Sequence, residues 1–317
     1  MLISVVVPTH QQKVLKETLT ALSNQKGINK NQYEVIVVNN PRENDTYNLV
    51  RSFGFKYSIS QLGSNNARNI GIALAQAPII ALTDDDCLPN ENWLSRLLGL
   101  HAVYNKCGVI CGPLKLKYLC DQPKWLTDDL EYLLSRMEWN NPPGVIGPFD
   151  LNIYPNRWAV SANLSFTKAN YLKVGGLNGN IGYHGKQAYI SNDEIQFINK
   201  LSSHGIIYDN ELVVEHMITE DRCTGDFLEL KSYGQGVADG IMQKEESPDS
   251  INDIYHNYFQ PKLLQMFNYN NILKTREKIA NEDMTREYIK IYIKVKLAYL
   301  AGLEKGLGGS QWIKQSS

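Results

Sequence analysis

The sequence contains no run of the roughly 18 to 20 uninterrupted apolar residues that a membrane span requires, so a spanning helix is not expected. Neither sign of charge is in excess: 32 Lys and Arg face 33 Asp and Glu, a formal net charge of −1. The broad positive field that drives non-specific binding to nucleic acid is therefore missing, and no nucleic-acid partner is expected. Cysteine is scarce, five among 317 residues, an odd number without the spacing of a small disulfide framework. That usage fits a reducing, cytoplasmic setting. Cys107 and Cys111 stand four apart, but no second Cys/His pair follows at zinc-site spacing, so small buried residues are the expected reading. The N-terminus lacks both a charged segment and a small-residue cleavage site, and a secretory signal peptide is not expected.

What is present is enough apolar residue, 43%, to bury a core as one large domain or two small ones. The first hundred residues alternate short apolar runs with helix-length segments, the pattern of βαβ units on a parallel sheet. Strands are expected near Ile3–Pro8, Glu34–Asn39 and Ile79–Thr83, with a shorter one near Phe55–Ile59. Leu15, Leu19 and Leu22 recur at helical spacing, and a second helix carries Ala67, Ile70, Ile72, Ala73 and Leu74. From Pro113 to Asn163 the chain is rich in Pro, Gly and aromatics and reads as irregular. Helical periodicity returns at Lys168–Val174 and Asp193–Ser203, and a strand is expected at Glu211–His216.

Beyond about Gly225 the chain reads as mainly helical. Its strongest segment, Met284–Leu303, sets Tyr288, Ile291, Val295, Tyr299 and Leu303 on one stripe, with Lys290, Lys294 and Lys296 elsewhere. Docking on the rest of the protein is the ordinary meaning of such a stripe; a membrane-surface or oligomer face is the alternative.

The most informative feature is Thr83-Asp84-Asp85-Asp86-Cys87, directly after the apolar run Pro78-Ile79-Ile80-Ala81-Leu82. Open α/β sheets bind ligands at the C-terminal ends of their strands. Three adjacent carboxylates repel one another unless a cation or donors answer them. Mg²⁺ and Mn²⁺ take oxygen ligands and complete their shells with substrate phosphates, so a metal–diphosphate site accounts for the cluster; a solvated turn is the alternative. Two more polar strand ends, Pro8-Thr9-His10 and Asn39-Asn40-Pro41, should face the same crevice. Arg68 falls in the first turn of its helix, where a cation opposes the helix dipole. It should answer another negative charge, unless it is an ordinary surface arginine.

These stretches together resemble family-2 glycosyltransferases with the GT-A fold. The resemblance rests on Ser4-Val5-Val6-Val7-Pro8-Thr9, on Glu34-Val35-Ile36-Val37-Val38, and on Ala67-Arg68-Asn69-Ile70-Gly71 followed by Ala81-Leu82-Thr83-Asp84-Asp85-Asp86, in that order and spacing. It continues more sparsely through Ser161-Ala162-Asn163-Leu164-Ser165-Phe166, Val174-Gly175-Gly176-Leu177, Asn192-Asp193-Glu194 and Val213-Val214-Glu215-His216. It implies an α/β fold with a Rossmann-like, mostly parallel mixed sheet flanked by helices, and a helical C-terminal extension. Residues 1–105 would form the nucleotide-sugar half, 106–224 the acceptor half and 225–317 the extension.

The implied reaction inverts the anomeric centre of a nucleoside-diphosphate sugar, UDP-linked by first expectation. Pro8, Thr9, Asn39, Arg68, Asp84 and Asp85 would bind the donor. Asp86, with Asp84 and His216, would hold Mn²⁺ or Mg²⁺. Asp193 would be the general base and Glu194 its fallback, though a carboxylate there also suits a helix N-terminus on dipole grounds alone. His216 could equally be an ordinary rim residue. Asn163 and Asn192 would meet donor sugar or acceptor. Trp158, and with it Trp125 and Trp139, would stack on sugar rings or simply pack. The acceptor would be a saccharide, lipid-linked saccharide or protein, within cell-surface polysaccharide biosynthesis at the inner face of a membrane.

This chain departs from the family in carrying Asn39 where an Asp usually ends the second strand, and Asn192 where a Glu usually precedes Asp193. Two other readings stand beside the resemblance. A nucleotidyltransferase would want a Gly-rich basic loop after the first strand, where Pro8-Thr9-His10-Gln11-Gln12-Lys13 stands instead. A non-catalytic sugar- or nucleotide-binding module would have no reason to keep Asp84, Asp86 and Asp193 together.

Overall fold

Ile3–Thr9 is β-branched for most of its length and forms β1, buried from end to end. Burial on both faces is what a central parallel strand requires. Tyr33–Asn39 forms β2, equally buried, and Lys56–Ile59 forms β3. Helix α1 (Leu15–Ser23) connects β1 to β2 and buries Leu15, Thr18, Leu19 and Leu22; α2 (Asn44–Ser52) connects β2 to β3. Helix α3 (Ser64–Leu74) then leads into β4 (Ile79–Leu82). All of this comes from a computed structural model that describes residues 1–10, 13–39, 44–139, 144–149, 159–179, 194–202, 205–246 and 282–308.

β1 pairs in parallel with β2 and β4, and β2 with β3, so Thr9 and Asn39 lie side by side at the strand ends. At Gly71 a Cβ would stand 2.3 Å from a Val6 methyl carbon, which is how closely α3 rides on β1. A side chain there would lift the helix off the sheet.

The second half of the sheet is mixed. β9 (Leu164–Thr167) runs antiparallel to β4 and to β6 (Val109–Cys111); β6 is parallel to β10 (Ile206–Asp209), which pairs antiparallel with β8 (Val145–Phe149). The order is β3-β2-β1-β4-β9-β6-β10-β8, and a second sheet has the order β5-β11-β7. Its strands are β5 (Cys87–Pro89), β7 (Leu114–Tyr118) and β11 (Val214–Ile218). Helices α4 (Trp93–Val103), α5 (Lys168–Lys173) and α6 (Ile195–Ser202) flank these strands in the chain.

Two expectations are corrected here. The stretch from Pro113 to Asn163 is not wholly irregular, since β7, a 3₁₀ turn at Glu131–Leu134 and β8 lie within it. β11 starts at Val214 rather than Glu211. The reason is local: the Leu212 amide closes a turn onto the Asp209 carbonyl, and the Leu212 carbonyl accepts from Asn163.

The chain divides into two compact units. The first holds both sheets. The second comprises residues 118–134, 184–192 and the chain from Thr219 onward, including α7 (Gly225–Glu246) and α8 (Glu282–Gly306). Within it the expected apolar stripe of α8 is buried, and its backbone lies directly on that of α7. A Cβ on Gly236 would sit 2.0 Å from the Tyr299 carbonyl oxygen, and one on Gly302 2.0 Å from that of Tyr233. Lys290 and Lys294 are exposed, whereas the Lys296 ammonium lies 5.6 and 5.1 Å from the ring centres of Tyr132 and Tyr292. Among the described residues no helix is long and apolar enough to cross a membrane. All five cysteines are free thiols; burial pushes Cys107 up to about 11, and Cys120 and Cys223 lie 3.5 Å apart.

Candidate active site

The acidic cluster follows β4, and each of its carboxylates has a different partner. Asp85 turns back onto β1: its Oδ2 accepts from the Thr9 hydroxyl at 2.6 Å and from the His10 amide at 3.3 Å. Its backbone carbonyl accepts from the Thr18 hydroxyl of α1 at 2.9 Å. Asp85 and Thr9, both expected to bind nucleotide, therefore bond to each other and lock the end of β1, beside Pro8, against the cluster.

Asp84 faces α3. Arg68 donates from Nη2 to Asp84 Oδ1 at 2.9 Å and from Nη1 to Asn65 Oδ1 at 3.3 Å. With 4% of its surface exposed, Arg68 is no ordinary surface arginine. The negative charge that Arg68 was expected to answer is Asp84, which is itself partly open to solvent.

Asp86 faces the second sheet. β5 and β11 pair antiparallel with Cys87 opposite His216, which brings His216 Nε2 to 3.3 Å from Asp86 Oδ2. The Met217 amide donates to the Asp86 carbonyl at 2.8 Å and fixes that register. Burial first, then the charges of Asp86 and Asp84, hold the Cys87 thiol protonated well above the ordinary thiol range.

A divalent cation fits this donor set. A carboxylate oxygen and an imidazole nitrogen about 3 Å apart suit neighbouring positions around an ion whose ligands lie at ~2.1 Å. Asp84 does not complete a third side: it is held by Arg68, and the described residues contain no group of three His, Cys, Asp or Glu placed for a metal. Mg²⁺-type sites commonly use one or two protein ligands with phosphate and water completing the shell.

Asn39 is fully buried at the end of β2. Its Nδ2 donates to the Tyr57 hydroxyl at 3.3 Å, and its Oδ1 has no hydrogen-bond partner among the described residues. A buried acceptor left this way costs about 1–3 kcal/mol unless something donates to it.

Asn163 is placed elsewhere than expected. It is fully buried; its Oδ1 accepts from the Trp93 indole at 2.9 Å, and its Nδ2 donates to the carbonyls of Pro113 and Leu212 at 2.9 and 2.7 Å. This amide ties α4, β9 and the strands of the second sheet together, and has no open face for a sugar. Trp139 is likewise a packing residue, stacked on Tyr208 at 4.3 Å, and Trp125 is buried. Glu194 is buried with its Oε1 near the Ser161 amide at 3.4 Å. Trp158, Asn192 and Asp193 lie outside the described residues.

No individual role was expected for Thr18, Trp93, Asn65 or Asn69. The last two left a signal, since amides recur at 65, 66 and 69 in a helix whose other face is apolar.

Parallel strands β1, β2 and β4 ending in polar residues, a mixed second half of the sheet and an acidic cluster at the strand ends define a GT-A fold. Residues 4–126 match the model of the family described as glycosyl transferase family 2. Glycosyltransferase AglE of Haloferax volcanii is 33% identical over 102 residues, 30% of this chain and 33% of the relative. The chain thus spans about a third of that relative's length. Among solved structures, TarS 1–349 of S. aureus in complex with UDP-GlcNAc superposes with a TM-score of 0.54 at 14% identity, covering 98% of this chain and 92% of that one. The mannosyltransferase PcManGT of Pyrobaculum calidifontis, in complex with GDP-Man and Mn²⁺, gives 0.58 at 15% identity, covering 98% and 88%. At such identities the structures speak for the fold.

Proposed function

We propose that this protein is an inverting glycosyltransferase that moves a sugar from a nucleoside-diphosphate donor, a UDP-sugar first, to a hydroxyl of a saccharide, lipid-linked saccharide or protein acceptor. The observation that carries this reading is the division of labour within one acidic cluster: Asp85 is spent on the fold, Asp84 is gripped by a buried arginine, and Asp86 meets a histidine.

Asp86 and His216 would hold Mn²⁺ or Mg²⁺, which when bound supplies Lewis-acid stabilisation to a departing diphosphate. The chain's own residues do the rest. Arg68 fixes the Asp84 carboxylate at the crevice and offsets its charge. Thr9 and Asp85 keep the β1 end in place beneath the nucleotide. Asn39 offers its unsatisfied carbonyl oxygen to an N–H of the base, as the imide N–H of uracil would use. Asp193 accepts the proton of the attacking hydroxyl, which requires an approach of about 2.6 to 3.2 Å. Support for the donor class comes from the structural neighbours, one bound to UDP-GlcNAc and one to GDP-Man with Mn²⁺. The exposed Lys290 and Lys294 of α8 suit loose contact with an anionic membrane surface, where a cytoplasmic enzyme of polysaccharide biosynthesis would work.

The test is release of nucleoside diphosphate from a panel of UDP-, GDP- and dTDP-sugars, with wild type and Asp193→Asn. The expected result is turnover of one donor, lost in Asp193→Asn while the donor still binds. Tight donor binding without turnover, across a panel of saccharide and lipid-linked acceptors, would identify a binding module instead.

A further inference from the structure

α3 is sewn to α5 and to the residues that directly follow it. Asn69 makes three bonds there: its Oδ1 accepts from the Tyr171 hydroxyl at 2.8 Å and from the Leu177 amide at 3.2 Å, and its Nδ2 donates to the Leu177 carbonyl at 2.9 Å. One turn earlier, Asn65 is fully buried and uses both ends of its amide. Its Oδ1 accepts from Arg68, the same guanidinium that grips Asp84, and its Nδ2 donates to the Asn178 carbonyl at 2.9 Å. The Asn178 side chain in turn reaches Gln196 Oε1 at 3.4 Å, in the first turn of α6. α6 begins at Ile195, two residues beyond Asp193.

A continuous chain of polar contacts therefore runs from the donor-side carboxylate to the helix that follows the expected base: Asp84, Arg68, Asn65, Asn178, Gln196. We propose that Asn65, acting through Asn178, is a positioning residue that sets the start of α6, the helix that follows Asp193 in sequence, relative to the donor crevice. The inference rests on the glycosyltransferase reading for the role of Asp193, but the contacts themselves do not. The chemistry of position 65 is specific. It needs an acceptor toward a guanidinium and a donor toward a carbonyl, and a primary amide supplies both without charge. An apolar residue of the same size would remove both of these bonds from a buried place. Whatever fixes Arg68 against Asp84 then also fixes Asn178 and the first turn of α6. Transfer should depend on the links from Asn65 through Asn178 to Gln196, while donor affinity should not.

Two variants cut it at different links. Asn65→Asp keeps the acceptor toward Arg68 but sets a carboxylate oxygen against the Asn178 carbonyl. Asn178→Ala leaves Asn65 intact and removes the contact with Gln196. For each, donor dissociation constant, kcat of transfer and backbone hydrogen exchange across α6 are compared with wild type. The expected result is donor affinity within about twofold, kcat lower by about tenfold, and faster exchange in α6, with the double variant no worse than the weaker single one, as members of one chain behave. Unchanged exchange in α6 in both variants overturns the proposal. So does an equal fall in donor affinity and kcat, the mark of general damage to the fold. If wild type turns over no donor at all, the glycosyltransferase reading fails and the exchange measurement alone decides the positioning role.

Discussion

Acidification should weaken this protein at one identifiable place behind the acidic cluster. His101 of α4 is buried, and its Nε2 lies 2.8 Å from the Ser165 hydroxyl. Ser165 spends its only proton on the Ile80 carbonyl of β4 at 2.8 Å, so the histidine must be the donor and carries its proton on Nε2. A second proton would charge the ring inside the core. Burial accordingly lowers the His101 pKa from 6.5 to about 4. The unfolded chain takes up that proton more readily than the folded one, so the stabilisation is fully present above pH 6.5 and is lost as pH falls toward 4. A gap of about 2.5 pH units at ~1.4 kcal/mol each is about 3 kcal/mol, of which about 2 kcal/mol is gone by pH 5. Urea unfolding of wild type and His101→Gln at pH 7.5, 6 and 5 isolates the effect, because every other titrating group is common to both proteins. Wild type should lose about 2 kcal/mol more than the variant between pH 7.5 and 5. Parallel losses in the two proteins would refute the assignment.

Three further outcomes follow from named contacts. Asn163→Ala strands the Trp93 indole and the carbonyls of Pro113 and Leu212; it should cost about 3 kcal/mol or more of stability in urea unfolding, whereas a residue serving mainly to touch a sugar would change KM alone. Arg68→Lys keeps the charge but cannot serve Asp84 and Asn65 from one planar group; donor affinity should fall about tenfold by calorimetry, and unchanged affinity would remove Arg68 from the donor site. Gly236→Ala drives a methyl into the Tyr299 carbonyl of α8; the cost should be about 2 kcal/mol or more, and an unaltered thermal midpoint would mean that the helices separate freely.

The parallel half of the fold was legible because β1, β2 and β4 are buried along almost their whole length and carry the apolar runs Val5–Pro8, Val35–Val38 and Ile79–Leu82. The second half hid because its strands are short, three to five residues each for β5, β6, β7, β8, β9, β10 and β11. At that length periodicity cannot separate a strand from a turn. The acidic cluster announced a site, but not how its members divide. Asp85 could be told from its neighbours only once Thr9 and Thr18 were seen to close on it. Asn163 misled for the opposite reason: a polar residue in a matching motif looks functional until its partners are counted. The pairing of His216 with Asp86 depends on the register of β11 against β5, which spans more than a hundred residues of sequence and leaves no local trace.

On the proposed reading, Asp86, with His216, holds the cation that the donor's diphosphate needs. The most direct measurement is calorimetric titration of UDP and of GDP into wild type and Asp86→Ala, each with Mn²⁺ and with EDTA. The account expects one nucleotide to bind wild type at least tenfold more tightly with Mn²⁺ than with EDTA, and that difference to vanish in Asp86→Ala. Equal affinity in all four combinations of protein and metal condition for both nucleotides, or a Mn²⁺ effect undiminished in Asp86→Ala, would contradict it.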